Sequence, residues 1–228
     1  MKNERRIWDD ILTERDRKVY GVSGFGRATE LGQRPALLII DVTYKFVGDR
    51  PEPILQAMKR FPLSCGEAGW DAVKNIQVLL DAARKKGLPI VYAAPEFRPG
   101  SPHLGATKRH RAKQDFTPEL GEIVKEIAPR QDEVVIYKET PSVFFGTPLM
   151  SYLTIRSVDT LVVCGTSTSG CVRASVVDAF SHGLKLAVVE ECTFDRGEVS
   201  HKVNLFDIHQ KYADVISLQE ALAYINKI

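Results

Sequence analysis

The chain reads as an α/β protein: a three-layer α/β/α sandwich around a mostly parallel, six-stranded sheet. Three observations predict this. Short apolar runs alternate with amphipathic stretches along most of the 228 residues, the pattern of repeated βα units. Val, Ile and Leu fill the runs without polar alternation, as strands buried on both faces require. Gly87-Leu88-Pro89 and Gly183-Leu184 each read as a helix stop followed at once by strand entry.

The elements follow in order. Strands are predicted at 36–42, 89–94, 134–138, 160–164, 185–190 and 214–216, and helices at 69–86, 118–127, 148–156, 171–182, 199–211 and 217–226. Residues 35–228 form one domain. Residues 1–34 are polar, with a helical start and the glycine-containing tail Gly21-Val22-Ser23-Gly24-Phe25-Gly26. They are expected to form an arm at a subunit interface. Residues 95–117 carry Pro95, Pro99, Gly100, Pro102 and the basic run Lys108-Arg109-His110-Arg111-Ala112-Lys113. A loop of that length in a compact domain is usually functional or at an interface.

Composition excludes several classes. The formal net charge is +2, too weak to make nucleic acid or a membrane surface the main partner. No apolar run approaches the ~20 residues that span a bilayer. The charged start, Met1 to Asp10, lacks the apolar segment of a secretion signal, so the expected compartment is the cytoplasm. The four cysteines form no C-x-x-C pair, and the five histidines show no tight ligand spacing. Neither a disulfide framework, a metal site nor a cofactor is expected.

Three polar residues end apolar runs. Asp41 follows Ala36-Leu37-Leu38-Ile39-Ile40, Lys138 ends Val134-Val135-Ile136-Tyr137, and Cys171 closes the small-residue turn after Val162-Val163-Cys164. Ligands of open α/β sheets bind beyond the carboxyl ends of the strands. An acid, a base and a nucleophile at three such ends therefore suggest one active site. An unpaired charge at the edge of a core is costly, so Asp41 and Lys138 are expected to pair. A thiol at a helix start meets backbone N–H groups and the positive dipole end, which favour the thiolate. Iodoacetamide should then alkylate Cys171 well below the usual thiol pH range.

Other motifs weigh less. Gly165 and Gly170 have the glycine spacing of a phosphate loop, but Cys171-Val172 stands where Lys-Ser or Lys-Thr is needed. The same glycines suit an oxyanion-binding turn. Gly21, Gly24 and Gly26 follow no strand and open no βαβ unit, so they are not a dinucleotide fingerprint. The basic run 108–113 has no interleaved aromatics and reads as a solvated loop. Arg196, after another strand end, reads either as a partner of Asp195 or Glu191 or as a fork for a substrate carboxylate.

Together these residues resemble the isochorismatase-like cysteine hydrolases, and within them the N-carbamoylsarcosine amidohydrolase branch. The matching pieces run from Arg34-Pro35-Ala36 and Ile40-Asp41, through Lys138 with Ser142-Val143-Phe144-Phe145-Gly146-Thr147-Pro148-Leu149, to Gly170-Cys171-Val172-Arg173, Asp195-Arg196 and Asn204-Leu205-Phe206-Asp207-Ile208. The resemblance implies the isochorismatase-like hydrolase fold, with a catalytic triad of Asp41, Lys138 and Cys171. It implies a cis-peptide at Thr166–Ser167, an oxyanion hole from that turn with Cys171, and a carboxylate-binding site at Arg196 and Thr168. It also implies an assembly of two or four copies. The stretch Pro95-Glu96-Phe97-Arg98-Pro99 lacks the histidine pair of the metal-bearing nicotinamidases.

The activity implied is cysteine-dependent hydrolysis of a linear amide or carbamoyl C–N bond in a small carboxylate-bearing substrate, releasing ammonia through a thioester. The alternatives are a maleamate or ureido-acid amidohydrolase, and a binding protein of the same fold with an idle triad.

Overall fold

The computed structural model describes residues 6–96 and 118–228. The basic run 108–113 and most of the long loop lie outside the described residues. The elements are α1 (Glu14–Ser23), β1 (Pro35–Ile40), α2 (Tyr44–Val47), α3 (Ile54–Ala57), α4 (Glu67–Lys85), β2 (Ile90–Pro95), β3 (Val134–Lys138), α5 (Leu149–Ile155), β4 (Thr160–Thr166), a π turn (Thr168–Val172), α6 (Arg173–Ser181), β5 (Lys185–Phe194), α7 (Glu198–Lys211), β6 (Asp214–Ile216) and α8 (Leu218–Lys227).

The six strands form one sheet in the order β3-β2-β1-β4-β5-β6, and every pairing is parallel. The chain builds outward from β1 to β3, then returns to the other side of β1 for β4. The strand order therefore reverses between β1 and β4, where the ends of neighbouring strands open a crevice.

Each sheet face buries its own half of the core. Leu38, Ile40, Val91, Ala93 and Val163 meet α5, α6 and α7 through Leu149, Leu153, Val176 and Leu205. Leu37, Ile39, Tyr92 and Val162 meet α4 and α8 through Val73, Ile76, Leu80 and Ile225. The two sets alternate along β1, as side chains on a strand must.

Two expectations are refined. The helix expected over 118–127 is two 3₁₀ turns, Pro118–Gly121 and Lys125–Ile127. The residues between them are drawn into backbone pairing with the segment after β1. Tyr44 N donates to Glu122 O (3.1 Å), Val124 N donates to Val42 O (3.2 Å), and Thr43 bridges Ile123. A continuous helix would forfeit those bonds.

The N-terminal arm folds back on its own chain. Trp8 is buried in the core cluster, edge-on to Phe206 with ring centroids 6.2 Å apart, and Lys202 Nζ donates to Asp10 Oδ2 (2.6 Å). By contrast α1, held at its start by a Thr13–Asp16 capping box, buries none of its own residues. Among the described residues no helix is long and apolar enough to cross a membrane.

Candidate active site

The carboxyl end of β1 delivers Asp41. Its backbone turns out of the strand with φ 54°, a left-handed conformation that aspartate tolerates better than most residues. Asp41 N still bonds Ala93 O (2.9 Å), and Asp41 O accepts from Thr43 N (2.9 Å). The side chain thus leaves the sheet at its edge while the backbone stays tied to it.

Lys138 closes β3, two residues beyond the core residue Ile136, and so shares its face. β3 lies two strands from β1, about 9–10 Å away. The lysine spans that gap across β2, whose residues on this face are Ala93 and Pro95. Its Nζ reaches Asp41 Oδ2 at 2.7 Å and also donates to Thr140 O at 3.2 Å. Asp41 is 1% and Lys138 4% exposed, so the pair is an interior one.

Cys171 arrives from the other side of the crevice, in the π turn after β4. Gly165 lets β4 approach β1 this closely. Its φ is +107°, and a Cβ there would overlap the carbonyl oxygen of Ile40. Gly170 has no such constraint, since an added Cβ would meet only Ser167 Cβ at 3.8 Å. The Thr166–Ser167 peptide is cis.

Asp41 and Lys138 both act on the thiol electrostatically, the carboxylate favouring its protonated form and the ammonium opposing it. Asp41 Oδ1 is buried and has no well-aligned hydrogen-bond partner.

The protonation of this cluster departs from the expectation of a resting thiolate. Cys171 is 7% exposed, and burial, reinforced by the negative charge of Asp41, pushes its thiol up to about 12 against the pull of Lys138. Burial also opposes the Lys138 ammonium, but the Asp41 carboxylate beside it reverses that and holds it above the usual lysine range. The arrangement is therefore a carboxylate–ammonium pair beside a protonated thiol.

A second lysine, unmarked in the sequence, shares the field. Lys45 on α2 is depressed by burial while Asp41 and Cys171 pull it upward. Its only sequence signal is position, four residues after Asp41.

Arg196 follows β5. Its Nη1 donates to Leu63 O (2.9 Å) and its Nη2 to Ser167 Oγ (3.1 Å), so the partner expected of Asp195 is the Arg196 backbone N–H, not its guanidinium (2.8 Å). Arg196, Cys65 and His201 line a cavity of about 390 Å³; the triad is not among its lining residues.

Thr168 is 0% exposed, and its Oγ1 lies 2.7 Å from His201 Nδ1. The structure thus brings Ser167, not Thr168, beside Arg196. Among the described residues no group of three or more His, Cys, Asp or Glu side chains is placed to hold a metal.

Fold and site together define a doubly wound α/β protein with an acid–ammonium–thiol cluster at its topological switch point. Comparison with known proteins agrees with the fold. The Isochorismatase domain family matches residues 35–220. Maleamate amidohydrolase of Pseudomonas putida is 35% identical over 209 residues, covering 90% of this chain and 92% of that protein. N-carbamoylsarcosine amidase of an Arthrobacter species is 31% identical over 218 residues, covering 92% and 78%. A solved isochorismatase family protein from Desulfovibrio vulgaris superposes with a TM-score of 0.73 at 27% identity, covering 86% of this chain and 100% of that one. The chain belongs to the isochorismatase family, and within it to the amidohydrolases.

Proposed function

We propose that the protein hydrolyses the terminal C–N bond of a small linear amide or carbamoyl compound that carries a carboxylate at its far end. One observation carries this reading. Three side chains from separate strand ends, Asp41, Lys138 and Cys171, meet in one buried cluster around a 2.7 Å ion pair.

The chemistry follows from the protonation states. A thiol held at about 12 is a poor resting nucleophile, so it must lose its proton as it attacks. Asp41 Oδ1 is the acceptor within the cluster. Lys138 stays charged and offsets the negative charge that moves from carboxylate to sulfur. Cys171 Sγ bonds to the carbonyl carbon, whose oxygen takes the negative charge. The backbone N–H groups of Ser167 and Cys171 are the proposed donors to that oxyanion, each worth about 3–4 kcal/mol in comparable sites.

The tetrahedral species then collapses, and the C–N bond breaks. The proton held by Asp41 passes to the departing nitrogen, which leaves as ammonia. A thioester remains on Cys171. Water, deprotonated by Asp41, attacks it, and the acid departs as the thiol regains its proton. In this reading Arg196, with Ser167 Oγ beside it, holds the distal carboxylate. An arginine fork suits that group in geometry and charge.

The substrate candidates are the two chemistries of the named relatives, maleamate and N-carbamoylsarcosine. The test is a panel of amide and carbamoyl acids scored for ammonia, each with its neutral analogue. Turnover of acids over neutral analogues is expected, with Cys171→Ala folded and inactive. Ammonia release by Cys171→Ala at the wild-type rate would overturn the nucleophile assignment.

A further inference from the structure

The turn that carries Cys171 begins with Ser167 in the N-cap position, in extended conformation, with φ −86° and ψ 140°. A serine there ordinarily turns its hydroxyl back onto the second or third helical N–H, which otherwise lacks a partner. Here it makes no such bond. Its hydroxyl instead accepts from Arg196 Nη2 at 3.1 Å.

The vacated capping role is filled from just beyond the end of another strand. Asp195, the residue after β5, accepts with Oδ2 from Ser169 N (2.8 Å) and Ser169 Oγ (2.6 Å). Its other oxygen accepts from the backbone N–H of Arg196 (2.8 Å). One carboxylate thus grips both the nucleophile's turn and the backbone of the arginine.

We infer that Asp195 is a positioning residue of this site: by capping the Cys171 turn from outside, it leaves the Ser167 hydroxyl free to stand beside Arg196 and meet the substrate carboxylate. The inference rests on the carboxylate-binding role of Arg196 and Ser167 proposed above. Without Asp195, the bare N–H of Ser169 is the nearest claim on the Ser167 hydroxyl. The serine then reverts to an ordinary cap and leaves the arginine. Asparagine keeps one acceptor oxygen, enough to hold Ser169 N, so it preserves the arrangement where alanine does not.

The experiment compares Asp195→Ala, Asp195→Asn, Ser167→Ala and the Asp195→Ala/Ser167→Ala double variant. Maleamate turnover gives KM and kcat. Maleate binding, measured by calorimetry in the Cys171→Ala background, gives a readout independent of turnover. Asp195→Ala should raise KM, and weaken maleate, by roughly 10- to 100-fold, the worth of a hydrogen bond to a charged group. Asp195→Asn should stay close to wild type, and should carry the test if the alanine variant does not fold. In the Ser167→Ala background the Asp195→Ala change should cost little more.

Equal losses in the asparagine and alanine variants, or fully additive losses in the double variant, would overturn the inference and leave the carboxylate site standing. Failure of wild-type protein to bind maleate and to hydrolyse any acid would overturn that site instead. In that event a crystal structure of Asp195→Ala decides the capping exchange. Ser167 Oγ within about 3 Å of Ser169 N supports it, and an unmoved serine refutes it.

Discussion

Replacing Lys138 by methionine tests the electrostatic core of the site. Methionine matches the length of the lysine stem and removes its charge. In the wild type both side chains of the Asp41–Lys138 pair are 1% exposed and 2.7 Å apart. Removing one partner of a buried pair costs about 3–5 kcal/mol, because the survivor is a charge without water or counterion. Here the survivor is a carboxylate whose Oδ1 already lacks an aligned partner, so the loss should fall in the upper part of that range near neutral pH.

The variant also has a pH signature. An unpaired, buried Asp41 has its carboxyl pushed above its unfolded value, so the native state holds a proton that the unfolded chain has released. Stability of Lys138→Met should then fall as pH rises from the unfolded aspartate range, about 3.9, until Asp41 ionises in the fold. Restoring neutrality with Asp41→Asn in the same chain should recover most of the loss, since a buried pair replaced as a unit is nearly neutral.

The assay is urea unfolding of the wild type, Lys138→Met, Asp41→Asn and the double variant at acid and neutral pH. A Lys138→Met protein within about 1 kcal/mol of wild type, the range of an exposed pair, would refute the burial argument. It would also refute the charge balance that the proposed mechanism relies on.

Other outcomes follow from the same geometry. With its thiol held at about 12, Cys171 in the free protein should resist iodoacetamide at neutral pH; labelling as fast as an exposed thiol, read by mass spectrometry of the Cys171 peptide, would contradict the buried, protonated state. Burial likewise raises Cys65 to about 11, and raises Cys164 and Cys192. Above pH 9 the unfolded chain therefore releases thiol protons that the fold retains. Stability should be fully present below about pH 9 and decline toward pH 11–12, by about 1.4 kcal/mol per pH unit for each thiol. Unfolding curves between pH 8 and 10 check this, and a flat profile would count against deep thiol burial. Gly165→Ala forces a side chain into the carbonyl of Ile40 at a positive φ and should cost at least 2–3 kcal/mol; a wild-type melting temperature would show that β1 and β4 are not so closely set.

The sheet was legible because its signal is redundant. Six apolar runs needed only their residue types and spacing to be read as buried parallel strands, and all six are present. The segment 118–127 failed because its fate is set by something distant. Val42 and Tyr44 after β1 offer backbone partners, and local helical pattern carries no information about them. The arm was expected at a subunit interface. Its attachment turns on Trp8, one residue whose burial against Phe206 has no periodicity to announce it.

At the site, the sequence showed which residues end the strands but not how deeply they sit. Convergence of Asp41, Lys138 and Cys171 follows from topology, since β1 and β4 are neighbours at the switch point and one lysine length bridges β2. Depth decides the proton. The helix start that suggested a thiolate is present, yet desolvation outweighs it, which is why the proposed mechanism has Asp41 take the thiol proton during attack. Local geometry separates two adjacent hydroxyls. Thr168 and Ser167 are equivalent in composition, but the extended N-cap conformation of Ser167 turns its hydroxyl to Arg196, while Thr168 turns to His201. On the proposed reading, selectivity for an acidic substrate comes to rest on which neighbour caps a five-residue turn, and that neighbour, Asp195, follows a different strand, β5.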